Sequence, residues 1–114
     1  MDKFWLKSYP EGVPHEIDPG QYRSLTHLLE ESFKKNANRP FSVCMDRWMS
    51  YRDLDDLSAA LGAWLQSQGL EQGARVAIML PNVHQFAVTM AAVLRAGYTC
   101  VNVNPLYTGR ELEH

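Results

Sequence analysis

The sequence predicts an α/β fold, and three observations carry that prediction. ARVAIML (74–80) is a near-continuous apolar run, the mark of a strand covered on both faces. TCVNV (99–103) is a second buried strand of the same kind. Between them, residues 83–96 are apolar almost all round, as a helix buried from more than one side must be. Strand, helix and strand in this order make a βαβ unit with parallel strands and a right-handed crossover.

The remaining elements follow in chain order. Residues 1–23 carry Pro10, Pro14 and Pro19 among Trp5, Tyr9 and Tyr22 with no sustained period. Proline favours extended or turn geometry, so this stretch reads as an extended arm whose aromatic side chains dock on a surface. Residues 24–114 read as an incomplete α/β subdomain. Ser24 caps a helix with Leu25, Leu28, Leu29 and Phe33 along one face, and Asn36, Asn38 and Pro40 mark its end. FSVCM (41–45) and WMSY (48–51) flank Asp46-Arg47 and predict a tight β-hairpin. Ser50 and Asp53 form a capping box that opens a helix with Leu54, Leu57, Leu61 and Leu65 on its apolar face, closed by Gly69 with Leu70 behind it. Pro81-Asn82 breaks the first buried strand, Asn82 caps the buried helix with Gln85 at its third position, and Gly97 ends that helix. Thr108 and Glu111 form a last capping box, followed at once by the end of the sequence. Nucleating a helix costs more than one turn returns. The alternation of strand and helix is still running there, so the sequence reads as the front piece of a larger α/β protein.

Composition narrows the classes. Hydrophobic content of 46% with 21% charged residues excludes a disordered chain. A formal net charge of -2, with Lys34-Lys35 the one basic pair, gives no reason to expect nucleic acid. No apolar run approaches the roughly 20 residues of a spanning helix, and MDKFWLKSYP meets Lys7 too early for a signal peptide. The expected compartment is cytoplasmic. Cys44 and Cys100 sit among apolar residues of predicted strands and read as reduced, buried small hydrophobes.

No catalytic constellation is evident. GLEQGAR (69–75) joins helix to strand, whereas a phosphate cradle leads from strand into helix, so it reads as a turn. His27 and Glu31 share a helix face and read as a solvated pair. Asp53, Asp55 and Asp56 read as first-turn carboxylates favouring the helix dipole rather than a magnesium cage. Asn82 reads as a cap. The loop holding Asn102, Asn104, Pro105, Tyr107 and Thr108 is richer than a turn requires, and it follows a strand's carboxyl end, where open α/β sheets bind ligands.

LPNVHQFAVTMAAVLRAGYTCVNVNPLYTGRELEH (80–114) resembles the early region of the acyl-adenylate-forming enzymes. Pro81-Asn82, the helix end Leu94-Arg95-Ala96-Gly97, and Asn104-Pro105-Leu106-Tyr107-Thr108 with Arg110-Glu111-Leu112 carry the resemblance. Ser50-Tyr51 with Leu54, and Gly73 with Arg75-Val76-Ala77, extend it. The arm, through Trp5-Leu6, Tyr9-Pro10, Val13-Pro14, Glu16-Ile17 and Tyr22-Arg23-Ser24-Leu25, is similar to the start of the bacterial long-chain fatty-acid-CoA ligases. Gly109 departs from the proline common at that position. Glu113 and His114 fit both the family's R-E-L-E-H and the start of a polyhistidine tag.

The resemblance implies the N-terminal part of the large domain of an adenylate-forming enzyme, a β-hairpin plus a βαβ unit. It implies a parent enzyme that uses ATP, Mg2+ and CoA to activate a long-chain fatty acid, with peripheral contact at the inner membrane face. The phosphate loop and catalytic lysine of such enzymes have no counterpart in these residues, so no catalytic residue and no metal ligand is expected, and the chain alone is expected to be inactive and to self-associate. Asn104, Pro105 and Leu106 match the loop near the family's CoA channel. The alternatives are a freestanding α/β binding or interaction module, or a ligase for a shorter or aryl acid.

Overall fold

The computed structural model describes residues 3–113; the first two residues of the arm and His114, with its native-or-tag reading, lie outside the described residues. The arm is not extended throughout. Phe4–Ser8 form a 3-10 helix, closed by Leu6 N–H on the Lys3 carbonyl and Tyr9 N–H on the Leu6 carbonyl. Beyond it the prolines hold the chain in turns. Trp5, Tyr9 and Tyr22 dock only in part, each keeping about two-fifths of its surface exposed. Their rings meet near neighbours edge-on: Phe4 with Trp5, Tyr9 with His15, and Tyr22 with His27.

Ser24 then starts α1 (Leu25–Asn36) as expected, its side chain accepting from the His27 N–H. Phe33 is the residue that α1 buries; Leu25, in the first turn, remains exposed. The hairpin pairs β1 (Pro40–Cys44) with β2 (Arg47–Ser50) antiparallel, Val43 opposite Trp48 and Cys44 opposite Arg47. Its two-residue turn is Met45-Asp46, both at positive φ (50 and 59°), not the expected Asp46-Arg47. Burial decides the register. Met49 must point inward and Trp48 outward, and a one-residue slip would exchange them.

The Ser50–Asp53 capping box is made in both directions and opens α2 (Tyr51–Gln66). The buried face of α2 is Leu54, Ser58, Gly62 and Leu65, with Leu61 half-buried; Leu57 is half exposed instead of buried. The face is rotated from the leucine stripe because α3 (His84–Arg95) lies against the small residues. A Cβ added to Gly62 would stand 3.3 Å from the Ala92 carbonyl oxygen. Gly69, at φ +73°, turns the chain after α2 as anticipated.

β3 (Arg75–Ile78) and β4 (Thr99–Asn102) pair in parallel, with α3 as the crossover. Consecutive burial of Ala91, Ala92 and Val93 shows α3 enclosed from several sides. One core gathers Leu65, Ile78, Ala92, Val93 and Tyr98 between α2, α3 and the sheet. A second gathers Phe33, Met49, Leu54 and Ala91 between α1, the hairpin and the other two helices. The sheet is covered on one face, not two: Ala77, Met79 and Val101 stay exposed on the other. Asn82 does not cap α3. The Val83 N–H donates to the Pro81 carbonyl two residues back, and this tight turn makes Val83 the N-cap, with no side-chain capping bond.

Alanine in place of a mid-helix glycine ordinarily gains about 0.5–1 kcal/mol. At position 62 the contact with Ala92 opposes that gain, so Gly62→Ala should shift stability by less than about 1 kcal/mol, whereas Gly62→Leu should cost about 1–3 kcal/mol by overpacking. Urea unfolding of both variants beside wild type measures this. A Gly62→Leu variant as stable as wild type would show that α2 and α3 do not touch there.

Candidate functional site

β3 and β4 end side by side. Ile78 is paired with Asn102, and the Val103 N–H still reaches the Ile78 carbonyl at 2.9 Å. Pro81 and Pro105 follow soon after each strand, and since proline has no N–H to give, the ladder cannot continue through them. The two chains diverge and leave an open groove of about 450 Å³ lined by Leu80, Pro81, Asn82, Asn104, Pro105 and Leu106. All three residues of the sequence-predicted loop line it, together with Asn82 from the neighbouring strand's end.

Local bonds fix the loop. Asn104 Oδ1 accepts the Leu106 N–H at 3.0 Å and the Asn104 carbonyl accepts the Tyr107 N–H at 3.0 Å, which turns the chain back and leaves Leu106 85% exposed. The Thr108–Glu111 capping box then opens α4 (Gly109–Leu112). The Thr108 N–H, and next its hydroxyl, hold the Glu111 carboxyl below its ordinary 4.5.

The groove lining is uncharged. Prolines, leucines and two amides can enclose an apolar or amide-bearing chain, but they offer nothing to balance a phosphate, which needs cations or a helix N-terminus. Beside the groove, Cys100 donates from Sγ to Asn102 Oδ1 at 3.3 Å, and partial burial pushes its thiol above the ordinary value. Cys44 and Cys100 are both free and half-buried.

The other candidates separate. His27 Nδ1 accepts the Arg23 N–H, and Glu31 lies 3.8 Å from Lys34, so the two do not join. Asp53 is held by Ser50, whose hydroxyl and N–H lower its pKa below the ordinary 3.8. Asp55 turns instead to Arg95. Two clusters were not foreseen from the sequence. Arg95, at the end of α3, donates from one guanidinium nitrogen to the Asp55 carbonyl (2.9 Å) and Ser58 Oγ (2.8 Å), forms an ion pair with Asp55 Oδ1 (2.8 Å), and holds its guanidinium carbon 5.5 Å over the Phe33 ring. His84 joins the start of α3 to the hairpin: Nε2–H donates to the Arg47 carbonyl and Nδ1 meets Ser42 Oγ, both at 2.8 Å. Because the carbonyl can only accept, Nε2 carries the proton, and the neutral ring's Nδ1 accepts from the Ser42 hydroxyl.

A crossover helix packed under a hairpin and two helices, with two parallel strands, is the fold of the N-terminal subdomain of adenylate-forming enzymes. The chain belongs to the AMP-binding enzyme family, whose sequence profile matches residues 29–114. It is 49% identical over 115 aligned residues to the long-chain-fatty-acid–CoA ligase of Yersinia pestis, covering all of this chain and 20% of that protein. It is 37% identical to the Bacillus subtilis protein of the same name, covering 98% of this chain and again 20% of the relative. The chain thus spans about a fifth of the length of the curated relatives it matches. Among solved structures, Klebsiella oxytoca NpsA N-terminal subdomain, bound to anthranilyl-AMSN, superposes with a TM-score of 0.77 at 26% identity, over 82% of this chain and 24% of that one.

A carboxyl whose pKa is depressed on folding contributes above its ordinary value, and the contribution is lost as pH falls through the folded value. The start of α4 should therefore hold at neutral pH and release only below 4.5. Following the Thr108 amide proton by NMR during acid titration should show its inflection below 4.5, absent in Glu111→Gln. An inflection at or above the ordinary value would mean that this capping box is open in solution.

Proposed function

We propose that this chain is the N-terminal part of a long-chain fatty-acid–CoA ligase. The observation that carries the reading is 49% identity to such a ligase along the whole chain, arm included, against 26% to NpsA over 82% of it. The reaction is AMP-forming. A fatty-acid carboxylate attacks the α-phosphorus of ATP and expels pyrophosphate; the thiolate of coenzyme A then attacks the acyl carbon and expels AMP. Mg2+ and the ATP phosphates do not fit the groove, which has no charged lining residue. Among the described residues no three His, Cys, Asp or Glu side chains cluster as a metal site. No step of adenylation is assigned to these residues.

Coenzyme A fits better, through its pantetheine arm, a neutral chain of amides and methylenes. Leu80, Pro81, Pro105 and Leu106 supply apolar walls, and the Asn82 and Asn104 amides supply hydrogen bonds. Coenzyme A supplies the thiol; the role of these residues is to enclose and align the chain that bears it. The enzyme works beside the inner membrane face, where its substrate partitions.

Thioester formation by the full-length enzyme from palmitate, acetate and anthranilate tests the substrate class. We expect the highest kcat/KM for palmitate; a preference for anthranilate would move the protein to the aryl-acid branch, and a preference for acetate to the short-chain one. For the groove, Leu106→Trp should slow thioester formation by about tenfold or more, the effect of about 1.4 kcal/mol on a barrier, while ATP–pyrophosphate exchange stays near wild type. Equal loss of both half-reactions together with thermal stability would make the loop a structural element.

A further inference from the structure

The arm has no core of its own. From Lys3 to Arg23 every residue is exposed except half-buried Leu6, and Phe4, Trp5, Tyr9, Val13, Ile17 and Tyr22 all present large apolar side chains to solvent. Phe4 is 74% and Ile17 87% exposed. Local bonds order the segment, namely the 3-10 turn, Val13 N–H on the Pro10 carbonyl and Gln21 N–H on the Asp18 carbonyl, and the Lys3–Glu16 ion pair ties its two parts together. Such a concentration of exposed rings and aliphatics is costly in water unless something covers it.

Its similarity to known proteins and its charge indicate what does. The family profile begins at residue 29, past the arm, and the NpsA match covers 82% of the chain, whereas the long-chain ligases match 98–100% of it. The relatives named for a lipid substrate thus match the arm as well as the part that the family profile covers. Lys3, Lys7 and Arg23 face four acids in the arm's sequence, Asp2, Glu11, Glu16 and Asp18, so no excess of basic side chains selects an anionic headgroup. Tryptophan and tyrosine mixed with phenylalanine and isoleucine match the polar–apolar boundary of a bilayer, where amphipathic rings settle. No helix among the described residues is long and apolar enough to cross a membrane, so the contact is on the surface.

We propose that the arm is the element through which the enzyme meets the lipid surface that holds its fatty acid, a step that rests on the long-chain ligase reading. Contact is driven by apolar area and not by headgroup charge. The test uses the full-length enzyme and phosphatidylcholine vesicles. Wild type should co-sediment with them, and raising the salt to about 0.5 M, where exposed charges are screened, should change little. Combining Phe4→Ser, Trp5→Ser and Ile17→Ser should lower the vesicle partition coefficient about tenfold, a loss of about 1.4 kcal/mol. Ile17→Ser alone, at an 87% exposed site, should give a smaller drop with an unchanged melting temperature. Activity on soluble octanoate should be retained in both, while KM for vesicle-borne palmitate rises. Failure of wild type to bind, or binding unchanged in the variants, would overturn the proposal. So would a joint fall in melting temperature and octanoate activity, which would place the arm against the enzyme's own body. A changed oligomeric mass with vesicle binding kept would make it a contact between copies. Sedimentation reads adhesion whatever acid is activated, so an enzyme that binds vesicles through the arm but makes no acyl-CoA would refute the ligase reading alone.

Discussion

The rest of the structure depends on how closely α2 and α3 approach. Gly62 lets the Ala92 backbone come to contact distance, and one turn away Ser58, fully buried, receives the Arg95 guanidinium. A buried serine is costly unless bonded, and this one is bonded twice: it accepts from Arg95 and donates to the Asp55 carbonyl. Arg95 in turn reaches Asp55 on α2 and lies over Phe33 of α1, with Glu30 at 3.9 Å. An exposed ion pair adds little to stability, and Asp55 is two-fifths exposed. The consequence of the cluster is mainly geometric. One planar group ties three helices together just before Gly97 turns the chain into β4. Fixing α3 therefore fixes where β4 ends, and with it the loop that lines the groove.

His84 does the same at the other end of α3. Its two ring nitrogens reach both strands of the hairpin, so the helix is held at its first turn by the hairpin and at its last by α1 and α2. A two-stranded hairpin is marginal alone. Here Met49 adds a hydrophobic anchor in the core with Phe33, Leu54 and Ala91. Strain at the turn is tolerated on that basis: Met45 sits at positive φ, where a side chain costs about 1–2 kcal/mol.

The elements that could be read from the sequence are those whose causes are local. Ser50–Asp53, Thr108–Glu111 and Ser24 act within three residues, and the glycines at 69 and 97 act on their own φ angles. The βαβ unit was readable because a helix apolar all round has few other places to be. The errors share one source. Leu57 fits a leucine stripe, but the helix buries Ser58 and Gly62, because contact with Ala92 and Arg95 outweighs side-chain apolarity. The hairpin turn shifted by one residue because Met49 sets the register. Asn82 has the chemistry of a cap, yet the turn at Pro81 gives that position to Val83. Arg95 and His84 were not foreseen as anchors because their partners lie 37 to 42 residues away. Half of the groove was visible: Asn104, Pro105 and Leu106 announce a strand's end, but their juxtaposition with Asn82 exists only once β3 and β4 pair.

The chain thus separates its tasks along its length. The part shared with the AMP-binding family is cross-braced through α3 and has little freedom to change at Gly62, Ser58 or Arg95 without moving the groove. The arm meets that body at its end through Tyr22 against His27 and the Arg23 N–H on His27 Nδ1, and most of its own bonds are short-range. Changes there cost the body little. At such a segment exposed apolar side chains can accumulate without overpacking a core. The open face of β3 and β4 is different in kind. Ala77, Met79 and Val101 lie on a rigid parallel sheet, and parallel sheets are stable with both faces covered. A flat, rigid face of that kind fits a packed layer, whereas the arm, held by turns and single hydrogen bonds, can change its shape.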